Sequence, residues 1–372
     1  MANLGLLLGS IFLSIFILPC LSCPEYQKQA LLQFKSSILA SNSSFNSSTF
    51  GLESWNSSSS CCQWDQVTCS SPSNSTSRVV TGLYLSALYT MLPPRPQLPS
   101  TVLAPLFQIR SLMLLDISSN NIYGEISSGF ANLSKLVHLD MMLNNFNDFI
   151  PPHFFHLRHL QYLDLTNNSL HGSLSPDVGS LQNLKVLKLD ENFLSGKIPI
   201  DIGNLPNIST LTLNDNQLTG GIPSSIQKLS KLETLHLENN LLTGEISSWF
   251  RHLDIYTLFD LSKNHLSGEI PASIGALKAL KLLNVSYNKL SGKIPVSFGD
   301  LENVESLDLS HNQLSGSIPQ TLVKLQQLSN LDVSNNQLTG RIPVEVPYIA
   351  LSQIEGSHLP IMQGSGIPPN SS

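Results

Sequence analysis

The chain has 372 residues, 41% of them hydrophobic and 12% charged, with 20 Lys and Arg against 26 Asp and Glu for a net charge of -6. That balance offers neither nucleic acid nor an anionic membrane surface an electrostatic handle. Solubility is expected to rest on Ser, Asn and glycans rather than on charge.

In chain order, residues 1–22 hold an apolar run from Leu4 to Leu18 followed by Pro19-Cys20-Leu21-Ser22. This predicts a secretory signal peptide, because the run is shorter than the ~20 residues of a membrane span. No second apolar stretch of that length follows, so the expected mature chain has no transmembrane segment. Residues 23–78 carry the four remaining cysteines, Cys23, Cys61, Cys62 and Cys69. In an exported chain an even count predicts disulfides, and three pairings are open; adjacent Cys61 and Cys62 pair poorly with each other. A zinc site is the competing expectation, disfavoured by export and by the absence of His among these residues. The spacing C-x(37)-C-C-x(6)-C, with Ala30-Leu31-Leu32, Leu52-x-Ser54-Trp55 and Trp64, resembles the N-terminal cap of plant extracellular leucine-rich repeat proteins. The resemblance implies Cys23 with Cys61 and Cys62 with Cys69. A cap is also needed physically, since a first coil would expose its Leu core and an unpaired strand edge.

Val79 to Leu85 is predicted as an irregular first strand, followed by a Pro93-Pro94-Arg95-Pro96 loop. Asn then recurs every 24 residues from Asn120 to Asn336, ten times in register, with Gly four residues later in nine repeats and Pro seven later in seven. The unit L-x-x-L-x-L-x-x-N-x-L-x-G-x-I-P over residues 79–343 resembles the plant extracellular leucine-rich repeat. The predicted fold is an α/β-type leucine-rich repeat solenoid, a curved right-handed superhelix. A parallel sheet lines its concave side, with Leu pairs inward and the residues between them outward. The convex side is expected to be extended or 3₁₀, because Ile-Pro opens it and 24 residues leave little room for a helix. The Asn amides are expected to form a ladder that satisfies backbone groups between coils.

Four residues before the ladder Asn, Asp is the default; Lys188, Thr212 and His236 break it. The outward residues of those three repeats, Lys185, Lys188, Asp190, Glu191, Thr212, Asn214, Asp215, Glu233, His236 and Glu238, form the expected ligand surface. Nine Asn-X-Ser/Thr sequons, at Asn42, Asn46, Asn56, Asn74, Asn132, Asn167, Asn207, Asn284 and Asn370, support export and glycosylation. Glycans at Asn167 and Asn284 would flank the deviating repeats. Asp308, Ser310 and His311 are close in sequence, but Asp and Ser hold the same offsets in neighbouring repeats, so no catalysis is expected. Neither a phosphate-cradling loop nor metal-ligand spacing appears, and no cofactor or metal is expected.

Residues 255–343, including Leu-Asn-Val-Ser-Tyr-Asn and Glu-Ser-Leu-Asp-Leu-Ser-His-Asn, look like the last four repeats of plant receptor-like proteins, kinase-less cell-surface receptors. The resemblance implies a protein or peptide ligand and a receptor-kinase co-receptor, in defence or development. Two departures stand out. Ser248 to Asp254 runs into Ile255 without the non-repeat island usual in that family, and the tail 344–372 has no paired cysteines and no apolar span. The tail is expected to be poorly ordered, with Ile349, Leu351 and Ile354 available to cover the last coil. These departures suggest a shortened relative, at the plasma membrane if it is part of a longer receptor. The alternatives are a secreted inhibitor of microbial polygalacturonase type and a soluble decoy.

Overall fold

A computed structural model describes residues 22–41, 47–70, 78–89, 97–246 and 257–343. The signal-peptide segment up to residue 21, the Pro-rich insertion, Ser248 to Asp254, the tail, and sequons Asn42, Asn46, Asn74 and Asn370 lie outside them.

Among the described residues the backbone winds as a solenoid between two long sheets. The concave sheet has twelve strands in chain order; Val80–Tyr84 pairs in parallel with Leu114–Asp116 at a 32-residue offset, and from Leu114–Asp116 onward each pairs in parallel with the next at a 24-residue register, as Leu187 does with Leu211 and Leu211 with Leu235. Its three-residue strands bury the central residue and half-expose the two beside it, the pattern of a strand with one apolar face. A second, lateral sheet follows the ladder Asn, with strands such as Ser169–Ser173 and Phe193–Lys197. Single 3₁₀ turns such as Ile200–Asn204 and Gln320–Lys324 form the convex side. Each of these two is preceded by a Pro in extended conformation, Pro199 and Pro319, whose missing N–H no ladder needs.

The ladder is the framework. Asn216 Nδ2 donates to the carbonyls of Leu189, Leu213 and Asn214, and its Oδ1 accepts from Leu194 N–H at 2.9 Å. One side chain therefore satisfies backbone groups of two coils, and Asn264 and Asn336 repeat the arrangement. The residue before each ladder Asn is left-handed, φ 51–58° from Ser119 to Asn335. Sequence reading did not foresee this, because no glycine marks the position.

At the N-terminus the helix Glu25–Ser41 packs its apolar side against the first coil. Strand Val67–Cys69 runs antiparallel to Val80–Tyr84 and so occupies the sheet's first edge. Gln27 is wholly buried between helix and sheet: its Oε1 accepts from Val80 N–H at 2.8 Å and its Nε2 donates to Ser111 Oγ at 2.8 Å. Stacked Trp55 and Trp64 fill the cap. The disulfides Cys23–Cys61 and Cys62–Cys69 close it, in the pairing implied by the family spacing. The sulfurs of Cys23, Cys61 and Cys62 do sit close enough together to suggest a metal cluster, but all are engaged in S–S bonds.

Candidate functional site

The default Asp before the ladder has a local task. Oδ1 of Asp116, Asp140, Asp164, Asp260, Asp308 and Asp332 accepts from the backbone N–H two residues on, at 2.9–3.0 Å, and Asn284 does the same at 3.1 Å. The carboxylate thereby pins the turn out of the strand. Lys188 has no acceptor to offer, and among the described residues neither the Thr212 hydroxyl nor the His236 ring takes that bond. Three consecutive coils thus give up a turn bond that seven others keep.

The side chains there are engaged with one another instead. Lys188, Asp190, Thr212, Asn214, His236 and Glu238 line one concavity of about 380 Å³, together with Asp164 and Thr166. Asp164, 1% exposed, receives Lys188 Nζ at 3.3 Å and the Tyr162 hydroxyl at 2.9 Å. Asp190 Oδ1 accepts the hydroxyls of both Thr166 and Thr212. His236 Nδ1 lies 3.0 Å from Glu238 Oε1, and this hydrogen bond, against opposing burial, holds the imidazole above its ordinary pKa. The other Glu238 oxygen is buried with no partner, an acceptor aimed at a donor the chain does not supply.

The other four expected contact residues lie apart. Lys185 and Glu233 line a separate concavity of about 300 Å³ with Asn207 and Lys231, at the entry to the strands. Glu191 and Asp215 sit on the ladder rim, where Glu191 accepts from Asn167 Nδ2 and Asp215 from Asn239 Nδ2. Conversely, residues not singled out from sequence extend the site upstream. His138 stacks on Tyr162 at 4.2 Å, with Lys188 Nζ 5.8 Å from the same ring. Burial pushes the Tyr162 phenol above and the His138 imidazole below their usual ranges. Burial also raises the Asp140 carboxyl to about 6. Aromatic residues at the same outward offset in two adjacent repeats were the available signal.

Of the sequons, Asn56 and Asn132 are exposed. Asn207 donates to Gln182 O at 3.0 Å, and Asn284 sits half-buried on the concave sheet with Nδ2 on Asp260 Oδ2 at 3.0 Å. The Asp308, Ser310 and His311 trio is not a triad: Asp308 caps its own turn, Ser310 is buried, and His311 stacks on Tyr287 at 3.9 Å.

Comparison with known proteins agrees with this architecture. Residues 24–70 match the leucine rich repeat N-terminal domain; residues 110–170, 230–290 and 294–338, and again 183–205 and 207–229, match leucine rich repeat models. Receptor-like protein 46 of Arabidopsis thaliana is 39% identical over 132 residues, which is 34% of this chain and 15% of that protein. The chain therefore spans about one seventh of the length of that relative. Among solved structures, the Arabidopsis receptor kinase HAESA in complex with the peptide hormone IDA and the co-receptor SERK1 is 31% identical with a TM-score of 0.66, over 86% of this chain and 55% of that one. A plant ice-binding protein is 28% identical with a TM-score of 0.65, over 91% of this chain and 96% of that one. No helix among the described residues is long and apolar enough to cross a membrane.

Proposed function

The chain belongs to the leucine-rich repeat family, and from that premise we propose that it is a non-enzymatic, exported recognition module of receptor-like type, whose concave face binds a peptide or protein ligand. One observation carries the reading: three successive coils exchange a turn-pinning Asp for Lys188, Thr212 and His236, and these three residues line one concavity with Glu238, whose second oxygen has no partner. Consensus residues would have kept the turn bond. The similarity to HAESA, a receptor kinase solved with a peptide hormone and a co-receptor, supports a peptide ligand and a receptor-kinase partner. Lys188, Asp190, Thr212, Asn214, His236 and Glu238 are the contact residues, and Lys185 and Glu233 border them. If both Asn167 and Asn284 carry glycans, these would flank the repeats that hold the contact residues.

The test is photo-crosslinking of a plant apoplastic peptide fraction to the secreted chain and to its Lys188→Glu and His236→Asp variants. A peptide captured by the parent and lost from both variants supports the reading. Equal capture by all three ends it.

A second reading rests on the end-to-end match to the ice-binding protein and on one feature of the lateral sheet. Three residues after the ladder Asn, Ser195, Thr219, Thr243, Ser267, Ser291, Ser315 and Thr339 place hydroxyls on successive coils, a regular row of the kind that could order water. Charged Lys197, Glu245, Glu269 and Lys293 stand two residues further on and interrupt such a surface. An ice-recrystallisation assay decides it: inhibition at micromolar protein favours ice binding, and none removes it.

A further inference from the structure

We propose that the lateral sheet carries a second binding site, on the coils centred on Asn144 to Asn192, which takes a neutral glycan chain. The site lies on a different sheet from the concave contact residues. Its origin is a rule of the array. The left-handed Gly four residues after the ladder Asn has no Cβ, and the side chain five residues after the previous ladder Asn lies across that space. A Cβ on Gly220 would fall 2.9 Å from Lys197, on Gly268 2.8 Å from Glu245, and on Gly292 2.7 Å from Glu269. At Gly172 the occupant is Phe149, whose ring would meet that Cβ at 2.2 Å. A position that holds a charge at Lys197, Glu245, Glu269 and Lys293, and a small residue at Ser173, Gly221 and Ser317, here holds an aromatic ring laid over the backbone, with 57% of the residue exposed.

The row continues across the sheet. Phe149 meets His171 edge-on at 4.8 Å, and His171 is the register partner of Phe193, itself 51% exposed. Phe149, His171 and Phe193 therefore stand on three neighbouring coils, spanning two strand spacings or about 10 Å. Beside Phe149 opens a concavity of about 450 Å³ lined by Glu125, Asp148 and His153. His153 Nε2 is buried there without a partner.

Exposed rings offer apolar platforms, while the carboxylates and the unpaired imidazole nitrogen offer hydrogen-bonding positions around them. A pyranose has the complementary build, with flat C–H faces and a rim of hydroxyls that donate to carboxylates. Glu125 and Asp148 disfavour a polyanionic polysaccharide by like-charge repulsion and desolvation. A protein partner fits less well, because the polar His171 stands between the rings of Phe149 and Phe193, and Glu125 and Asp148 line the concavity beside them.

The test is titration of the full secreted chain with cellohexaose and, in parallel, hexagalacturonate, followed by calorimetry. Two variants use residues the array itself places at those offsets, which protects the fold: Phe149→Lys, as at Lys197, and Phe193→Gln, as at Gln217. Saturable cellohexaose binding is expected in the parent and in His236→Asp, weakened at least about tenfold by Phe149→Lys with the melting temperature kept, and several-fold by Phe193→Gln. The proposal is overturned by absence of cellohexaose binding in the parent, by equal binding in Phe149→Lys, or by hexagalacturonate binding as tightly.

Discussion

Two stretches of one concave sheet, the coils centred on Asn192 to Asn240 and those on Asn264 to Asn336, share a framework and differ in what stands on it. Both bury the same Leu positions and carry the same Asn ladder. The later coils pin each strand exit with Asp260, Asn284, Asp308 or Asp332; the earlier ones leave those exits unpinned and engage their side chains with one another. In a repeat protein stability is the sum of coils and their interfaces, so one stretch can give up local bonds while its neighbours hold the stack. Surface chemistry can therefore vary where the ladder stays constant.

The largest effect should come from the shared part. Asn264→Ala removes an acceptor for Leu242 N–H and donors to the carbonyls of Leu237, Leu261 and Ser262. With each buried orphan group costing about 1–3 kcal/mol, a loss of roughly 3 kcal/mol or more is expected by chemical denaturation. Asn216→Ala should lose as much. A much smaller loss at Asn216 would show that the deviating coils are loose in their framework as well as on their surface.

The unshared bond should be worth less. Asp308→Ala frees Ser310 N–H and is expected to cost about 1 kcal/mol. Thr212→Asp supplies the missing acceptor for Asn214 N–H, between its cross-strand partners Lys188 and His236, with Asp190 as a like-charged neighbour. Its net change in stability should lie within about 1 kcal/mol of zero, while ligand capture falls. Stability kept with binding lost is the signature of a surface selected for recognition; both unchanged would point to drift.

Titration sharpens the contrast further. Asp140, raised to about 6 by burial, binds more protons folded than unfolded below that value. Its contribution to stability therefore grows as pH falls from about 6 toward 4 and is absent above. His236 acts in the same sense: the stability from its Glu238 bond is present below the unfolded pKa and fades as pH rises through its raised folded value. His138, lowered by burial, opposes both. Asp140→Asn should flatten the change in unfolding free energy between pH 4 and 6 by under about 1 kcal/mol, read by denaturant titration at each pH, since the group is only half-buried. An unchanged slope would place the acid response elsewhere.

The framework was legible because it repeats. A ladder Asn bonded to three coil carbonyls leaves the same letter ten times, and the cap's cysteine spacing carried its pairing by resemblance. The 3₁₀ convex turns followed from Ile-Pro and coil length. The candidate site was only half legible. Lys188 and His236 stood out against an Asp default, but periodicity alone could not divide outward residues into a concavity, a strand entry and a ladder rim. Lys185 and Glu233 fell on the entry, Glu191 and Asp215 on the rim. Tyr162 and His138 were missed because their offset has no consensus to depart from; the stacking that unites them is visible only once the coils are superposed.

The remaining irregularity on the lateral side gives the smallest effect. Asp148 replaces the array's Gly at φ 76°, and its Oδ1 accepts from Phe149 N–H at 2.9 Å. The left-handed backbone disfavours an L-residue, while the local bond returns part of that loss. Asp148→Gly should therefore shift stability by no more than about 1 kcal/mol in either direction. Its informative readout is the Phe149 ring, followed through ring proton shifts. If the aspartate bond is what settles the chain beneath Phe149, the ring loses its single environment in the Gly variant. If the ring is held by Gly172 and His171 alone, the shifts stay put, and the aromatic row is a property of the coil stack rather than of the one residue that departs from it.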